Sequence, residues 1–116
     1  MSKAIIYHNP RCSKSRETLA LLEEKGECAT VVEYLDTPPS KEELGQILDM
    51  LGIEPEAIVR KKEALFKELG LNAKALSRDE WLETLTTHPK LIERPIVVKN
   101  GKAAIGRPPS LVLDIL

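Results

Sequence analysis

This chain of 116 residues predicts a mixed α/β fold: a βαβ unit, a helical insertion over about 38–89, and a closing ββα unit, all in one domain. Three observations point to it. Short apolar or β-branched runs lie near both ends, next to segments of helical period. The middle carries only helical periodicity, with two capping signals. Asn100-Gly101 separates two apolar runs, and that dipeptide is a strong hairpin signal.

The elements follow in order. Lys3 to Tyr7, with the run Ala4-Ile5-Ile6-Tyr7, reads as a buried strand. Ser13 to about Lys25 reads as a helix with Leu19, Leu21 and Leu22 on its apolar side and Gly26 at its end. Thr30-Val31-Val32-Glu33-Tyr34 is β-branched and reads as a second strand, parallel to the first in a right-handed βαβ unit. Thr37-Pro38-Pro39 breaks that strand. Ser40 and Glu43 then make a capping-box pattern before Leu44, Ile47, Leu48 and Leu51 at i, i+3, i+4 and i+7, and Gly52 stops the helix. Short helices are expected over Pro55 to Arg60 and Glu63 to Leu69. Ser77 and Glu80 repeat the capping pattern ahead of Trp81, Leu82 and Leu85, in a helix that must stop before Pro89. Pro95 to Lys99 and Lys102 to Ile105 flank the turn, and Pro108-Pro109 opens a last helical segment through Leu116.

Composition narrows the function classes. Hydrophobic content of 42%, charged content of 30% and a net charge of −1 fit a soluble globular protein with no global basic field for nucleic acid. No apolar run approaches the roughly 20 residues that cross a bilayer, and no secretory signal is evident, so a cytoplasmic location is expected, with no membrane partner. The two cysteines, Cys12 and Cys28, form no CxxC motif, because Ser15 takes the second position; no metal site is expected.

Cys12 carries the chemistry. It lies between a strand and the start of a helix, in His8-Asn9-Pro10-Arg11-Cys12-Ser13. Unpaired N–H groups and the positive dipole end there favour a thiolate, the nucleophilic form, and attract anions. A small buried hydrophobe is the alternative for a free cysteine, but the strand-Pro-x-Cys-helix context favours reactivity. Cys28 reads as buried or incidental: the helix between the two thiols, about thirteen residues long, separates its ends by roughly 20 Å, too far for a resolving partner. His8 is either an imidazolium that supports the thiolate or a strand-end histidine bonded to backbone. His88 reads as a helix-end residue. Arg94 and Arg107 each stand between a strand and a proline, and Arg60 ends a short helix. With 17 basic residues in the chain, each is either a solvated side chain or a bidentate donor to an oxyanion.

Together these residues resemble the glutaredoxin-coupled arsenate reductase family, which has a thioredoxin-like fold. The markers span the chain: Tyr7 to Arg16, Tyr34-Leu35-Asp36-Thr37-Pro38-Pro39, Arg60-Lys61, Glu68-Leu69-Gly70-Leu71, His88-Pro89, Arg94-Pro95-Ile96-Val97-Val98, Arg107-Pro108 and the ending Val112 to Leu116. The resemblance implies Cys12 as nucleophile, Arg60, Arg94 and Arg107 as the oxyanion-binding triad, and His8 as a residue that tunes the thiol. It implies that Ser15 can hydrogen-bond the cysteine sulfur and that Pro95 is the cis-proline facing it.

The implied reaction is reduction of arsenate to arsenite through a Cys12 thiol–arsenate adduct. Glutathione is the co-substrate, glutaredoxin the partner that regenerates the thiol, and no bound cofactor is needed. An external thiol is required because the chain has no nearby resolving cysteine. Two rivals share the fold: an Spx-like transcriptional regulator that binds RNA polymerase, and a glutathione-dependent thiol reductase with another substrate. Ser15 in place of a second thiol, with all three arginines present, argues against the regulator.

Overall fold

The computed structural model describes residues 4–71 and 76–116. Lys3, expected to begin the first strand, lies outside the described residues. The chain divides into two compact units, Met1–Thr37 with Arg94–Leu116, and Pro38–Glu93.

The first unit holds β1 (Ile5–Tyr7), α1 (Ser13–Glu24) and β2 (Thr30–Val32), and later the two strands of a hairpin. β1 pairs with β2 in parallel, as expected of a βαβ unit, with Ile6 opposite Val31. β2 is shorter than predicted: Asp36 N–H returns to the Glu33 carbonyl at 3.0 Å, so the chain turns just after Val32. α1 closes on Gly26, whose φ of 78° lets Gly26 N–H reach Glu23 O and Glu27 N–H reach Leu22 O, at 3.0 and 2.9 Å. Those two bonds make a Schellman ending, with glycine supplying the left-handed residue.

The second unit is helical. α2 (Lys41–Leu51) is capped by Ser40, which accepts from Glu43 N–H at 3.1 Å. α3 (Ala64–Glu68) follows a 3-10 turn at Pro55–Ile58. α4 (Arg78–Thr87) begins with a full reciprocal capping box between Ser77 and Glu80, worth about 1 kcal/mol for such a cap. His88 caps its C-terminal end, as expected. α2 and α4 pack together, burying Leu44, Ile47 and Leu48 on one helix and Trp81, Leu82 and Leu85 on the other. Lys41 pairs with Asp79 and Glu83, and Arg78 with Asp49, around their edge.

The chain then returns to the sheet through β3 (Ile96–Lys99) and β4 (Lys102–Ile105). The strand order is β2-β1-β3-β4, with β3 antiparallel to both its neighbours. Asn100 and Gly101 both take positive φ, 54° and 74°, the pair of torsions a type I′ hairpin demands. Ile6, Val97 and Ala104 sit opposite one another across the three strands and so share a face. Leu22 of α1 and Val112 pack on that face, with Leu19, Leu21 and Ile115 beside them. The last helical segment is a 3-10 helix, Pro109–Ile115, lying against β4 and α1.

Leu22 is fully buried in this cluster. Leu22→Ala should lower the unfolding free energy by about 2–5 kcal/mol, the usual cost of emptying a packed leucine site. Urea denaturation followed by circular dichroism checks this, and a loss below 1 kcal/mol would mean that α1 does not anchor the sheet.

Candidate active site

Asn9-Pro10-Arg11-Cys12 forms the turn that ends β1 and starts α1. Cys12 N–H donates to the Asn9 carbonyl at 3.0 Å, and the Asn9 side-chain oxygen accepts from Arg11 N–H at 3.0 Å. Asparagine at the first position and proline at the second are the residues a β-turn of this kind favours. Arg16 braces the turn by donating to the Pro10 carbonyl at 2.9 Å. The turn delivers Cys12 to the N-cap of α1 in an extended conformation.

Cys12 is 8% exposed. Its side chain makes no cap hydrogen bond of ordinary geometry, but Arg107 Nη2 lies 3.4 Å from Sγ. Burial pushes the thiol up, the largest single influence. The Ser15 N–H, the Arg94 charge, the Lys14 N–H and the Arg107 charge oppose it, and the balance holds Cys12 below its ordinary value.

Arg94 and Arg107 are therefore both brought to the cysteine, and they are linked: Arg107 Nε donates to the Arg94 carbonyl at 2.8 Å. Their following peptide bonds, Arg94–Pro95 and Arg107–Pro108, are both cis. The cis bond at Pro95 was implied by the resemblance; the one at Pro108 was not, and the repeated Arg-Pro dipeptide was its only trace in the sequence.

His8 and Ser15 form a buried pair, His8 Nδ1 to Ser15 Oγ at 2.6 Å. Ser15 Oγ also accepts from Asn9 N–H at 3.0 Å. The serine hydroxyl thus locks the turn and the histidine ring, while it is the serine backbone N–H that favours a thiolate on Cys12. Burial pushes the His8 imidazole down; Glu33 pulls the other way and Arg16 adds to the lowering, leaving the neutral ring favoured. His8 was read as an imidazolium or a backbone-bonded histidine; its main-chain N–H donates to the Val32 carbonyl at 2.8 Å, and its ring bonds the Ser15 hydroxyl seven residues on.

Arg60 lies in the helical unit. It follows the isolated bridge Val59–Ile92, its N–H donates to the Leu91 carbonyl at 2.7 Å, and its guanidinium pairs with Glu63 at 2.7 Å. Cys28, read as buried or incidental, is exposed. His8, Asn9, Pro10 and Arg11 of the cysteine turn wall a cavity of about 270 Å³ with Glu33, Leu35 and Asp36. Glu33 and Asp36 face Arg11 in that lining, whereas the charges of Arg94 and Arg107 act on the Cys12 sulfur. Among the described residues no cluster of His, Cys, Asp and Glu is able to hold a metal, and no helix is long and apolar enough to cross a membrane.

The sequence reading missed the inward-facing polar residues of α1. Ser15, Thr18 and Leu22 are its buried residues, whereas the leucines alone defined the predicted face. The spacing i, i+3, i+7 was present, but two of its members are hydroxyl residues.

Comparison with known proteins gives the family. The model of the ArsC family matches residues 7–115. The chain belongs to the ArsC family. It is 53% identical over 109 residues to the arsenate reductase of Neisseria meningitidis serogroup A, covering 93% of each chain. It is 52% identical to the uncharacterized protein YfgD of Escherichia coli K12, covering 100% of this chain and 99% of that one. The solved arsenate reductase of Vibrio cholerae superposes with a TM-score of 0.94 at 56% identity, covering 98% of each chain. The thioredoxin-like fold expected of this family is the fold of the chain.

Two outcomes follow from the electrostatics of this ArsC-family site. In a Cys28→Ser background, iodoacetamide should alkylate Cys12 with a pH–rate midpoint below that of an ordinary thiol, and Arg107→Gln should raise it. An unchanged midpoint in Arg107→Gln would show that the guanidinium does not act on sulfur. For His8, the unfolded ring titrates near 6.5 and the folded ring below that. Stability held by neutral His8 is therefore complete above pH 6.5 and is lost as pH falls through the folded value, since the unfolded chain then binds the extra proton. Urea midpoints at pH 5.5 and 7.5 should differ less in His8→Gln than in the parent.

Proposed function

We propose that this protein reduces arsenate to arsenite at Cys12, with glutathione as co-substrate and glutaredoxin as the partner that restores the thiol. The observation that carries the reading is the guanidinium of Arg107 at 3.4 Å from a thiol at a helix N-cap. The names of the relatives support the substrate; the resemblance supports the two thiol reagents.

Arsenate docks against Arg94 and Arg107, whose planar donors suit a tetrahedral oxyanion. The resemblance adds Arg60 as a third donor. The Cys12 thiolate attacks arsenic, an As–O bond breaks, and that oxygen leaves as water after taking up protons. Glutathione thiolate then attacks the Cys12 sulfur; an S–S bond forms as the S–As bond breaks and its electron pair stays with arsenic. As(V) takes two electrons to become As(III), one from each sulfur, so arsenite departs and Cys12 is left in a mixed disulfide with glutathione. Glutaredoxin exchanges that disulfide and frees the Cys12 thiol. Overall, one arsenate and two thiols give one arsenite, one disulfide and one water. His8 contributes through Ser15, by holding the turn that presents the sulfur.

The test couples arsenate reduction to NADPH oxidation through glutathione reductase, glutathione and glutaredoxin. Cys12→Ser should abolish turnover, and Arg94→Ala, Arg107→Ala and Arg60→Ala should each weaken kcat/KM by tenfold or more, in line with lost charge-assisted contacts. Equal rates for Cys12→Ser and the parent would end the proposal. A panel of other oxyanions and disulfides in the same assay identifies a thiol reductase of different substrate.

A further inference from the structure

Gly106 is buried and carries no positive φ, so its torsions suit any residue. Space is what demands glycine there. A Cβ at 106 would overlap Thr18 Oγ1, lie 2.8 Å from Pro95 Cγ and 3.0 Å from Thr18 Cγ2. The first belongs to α1, the helix Cys12 begins; the second follows Arg94. Gly106 is thus the point where the cysteine helix, the Arg94–Pro95 segment and the Arg107 segment meet.

The surrounding bonds make the point rigid. Gly106 N–H donates to the Pro95 carbonyl at 2.9 Å, extending the β3–β4 pairing by one step. Arg107 N–H returns to the Ile105 carbonyl at 2.9 Å, a three-residue turn centred on Gly106. Thr18 is fully buried, its hydroxyl donating to the Lys14 carbonyl at 2.8 Å, so it cannot swing away without losing that bond. From this floor the Arg107 side chain reaches back to the Arg94 carbonyl and to Cys12 Sγ.

We propose that Gly106 is a positioning residue: the missing side chain, seated on Thr18 and Pro95, sets how closely the Arg107 guanidinium approaches the Cys12 sulfur. This rests on reading Cys12 as the nucleophile, and it is independent of which oxyanion the site takes. An added methyl has no free volume to enter, and packed interiors answer by moving the backbone. The segment carrying Arg107 is the one that must move, because Arg107 and Pro108 after the glycine are exposed while Thr18 and Pro95 are buried.

The experiment is the pH–rate profile of Cys12 alkylation in the Cys28→Ser protein, which needs no arsenate. Gly106→Ala should raise the midpoint by about 0.5–1 pH unit, the scale of a weakened neighbouring charge, and so slow alkylation at pH 6.5 three- to tenfold. In an Arg107→Gln background the same change should add nothing, because the contact it disturbs is already gone. Adding Thr18→Ala to Gly106→Ala removes two of the three close atoms and should bring the midpoint back toward the parent. Should Gly106→Ala fail to fold, Thr18→Val sets a larger methyl against the glycine from the helix side, and it should move the midpoint in the same direction. An unmoved midpoint in the folded variants, or an equal rise with and without Arg107, would overturn the proposal. If these outcomes hold and arsenate turnover is absent, the clamp stands and the substrate assignment alone falls.

Discussion

The contact between Arg107 and the Cys12 sulfur sets the terms for the rest of the sheet unit. A thiol at 8% exposure is removed from most of the water that would solvate its anion, and burial by itself favours the neutral form. The thiol is nonetheless held below its ordinary value, because charge and N–H groups reach it from two separate parts of the chain: the first turn of α1, and the residues flanking the β3–β4 hairpin. Neither part acts without the other being held in place. The Schellman ending of α1, the type I′ hairpin and the packing of Leu22 on Ile6 and Val97 matter to function because they fix those two parts.

The polar residues on the inner face of α1 follow from the same demand. A leucine at 15 would give the Asn9 N–H and His8 Nδ1 nothing to bond, and a buried unpaired polar group costs about 1–3 kcal/mol. Serine satisfies both. Threonine at 18 offers a compact surface: its hydroxyl donates to the Lys14 carbonyl of its own helix, and its Oγ1 and methyl form the wall against which the backbone at Gly106 presses. The helix is thus built to carry a site at one end and a core at the other, with Leu22 its one fully buried apolar residue.

Electrostatics distinguishes the surroundings of the Cys12 sulfur from the cavity along its turn. The charges of Arg94 and Arg107 act on the sulfur, whereas Glu33 and Asp36 line the cavity together with His8 and Arg11. Two cations and a helix N-terminus favour an anion at the sulfur. Burial holds the His8 imidazole below its ordinary value, which favours the ring without charge.

The sequence by itself determined the element order, the monothiol character of the site and the family. Asn100-Gly101, the Ser-x-x-Glu caps and the heptad-like leucines act over a few residues, through torsions and hydrogen bonds that neighbouring side chains supply, so they were legible in one dimension. The strand at 30–32 ended earlier than its β-branched run suggested, because the turn at Glu33–Asp36 forms a local bond that competes with pairing. Tertiary structure alone decided that Arg94 and Arg107 meet Cys12, that His8 answers to Ser15, and that Gly106 is required by space. The arginine–cysteine contacts and the approach of Gly106 to Thr18 join residues some eighty to ninety-five positions apart, while His8 and Ser15 meet across the cysteine turn; no local pattern encodes a distance that only packing sets.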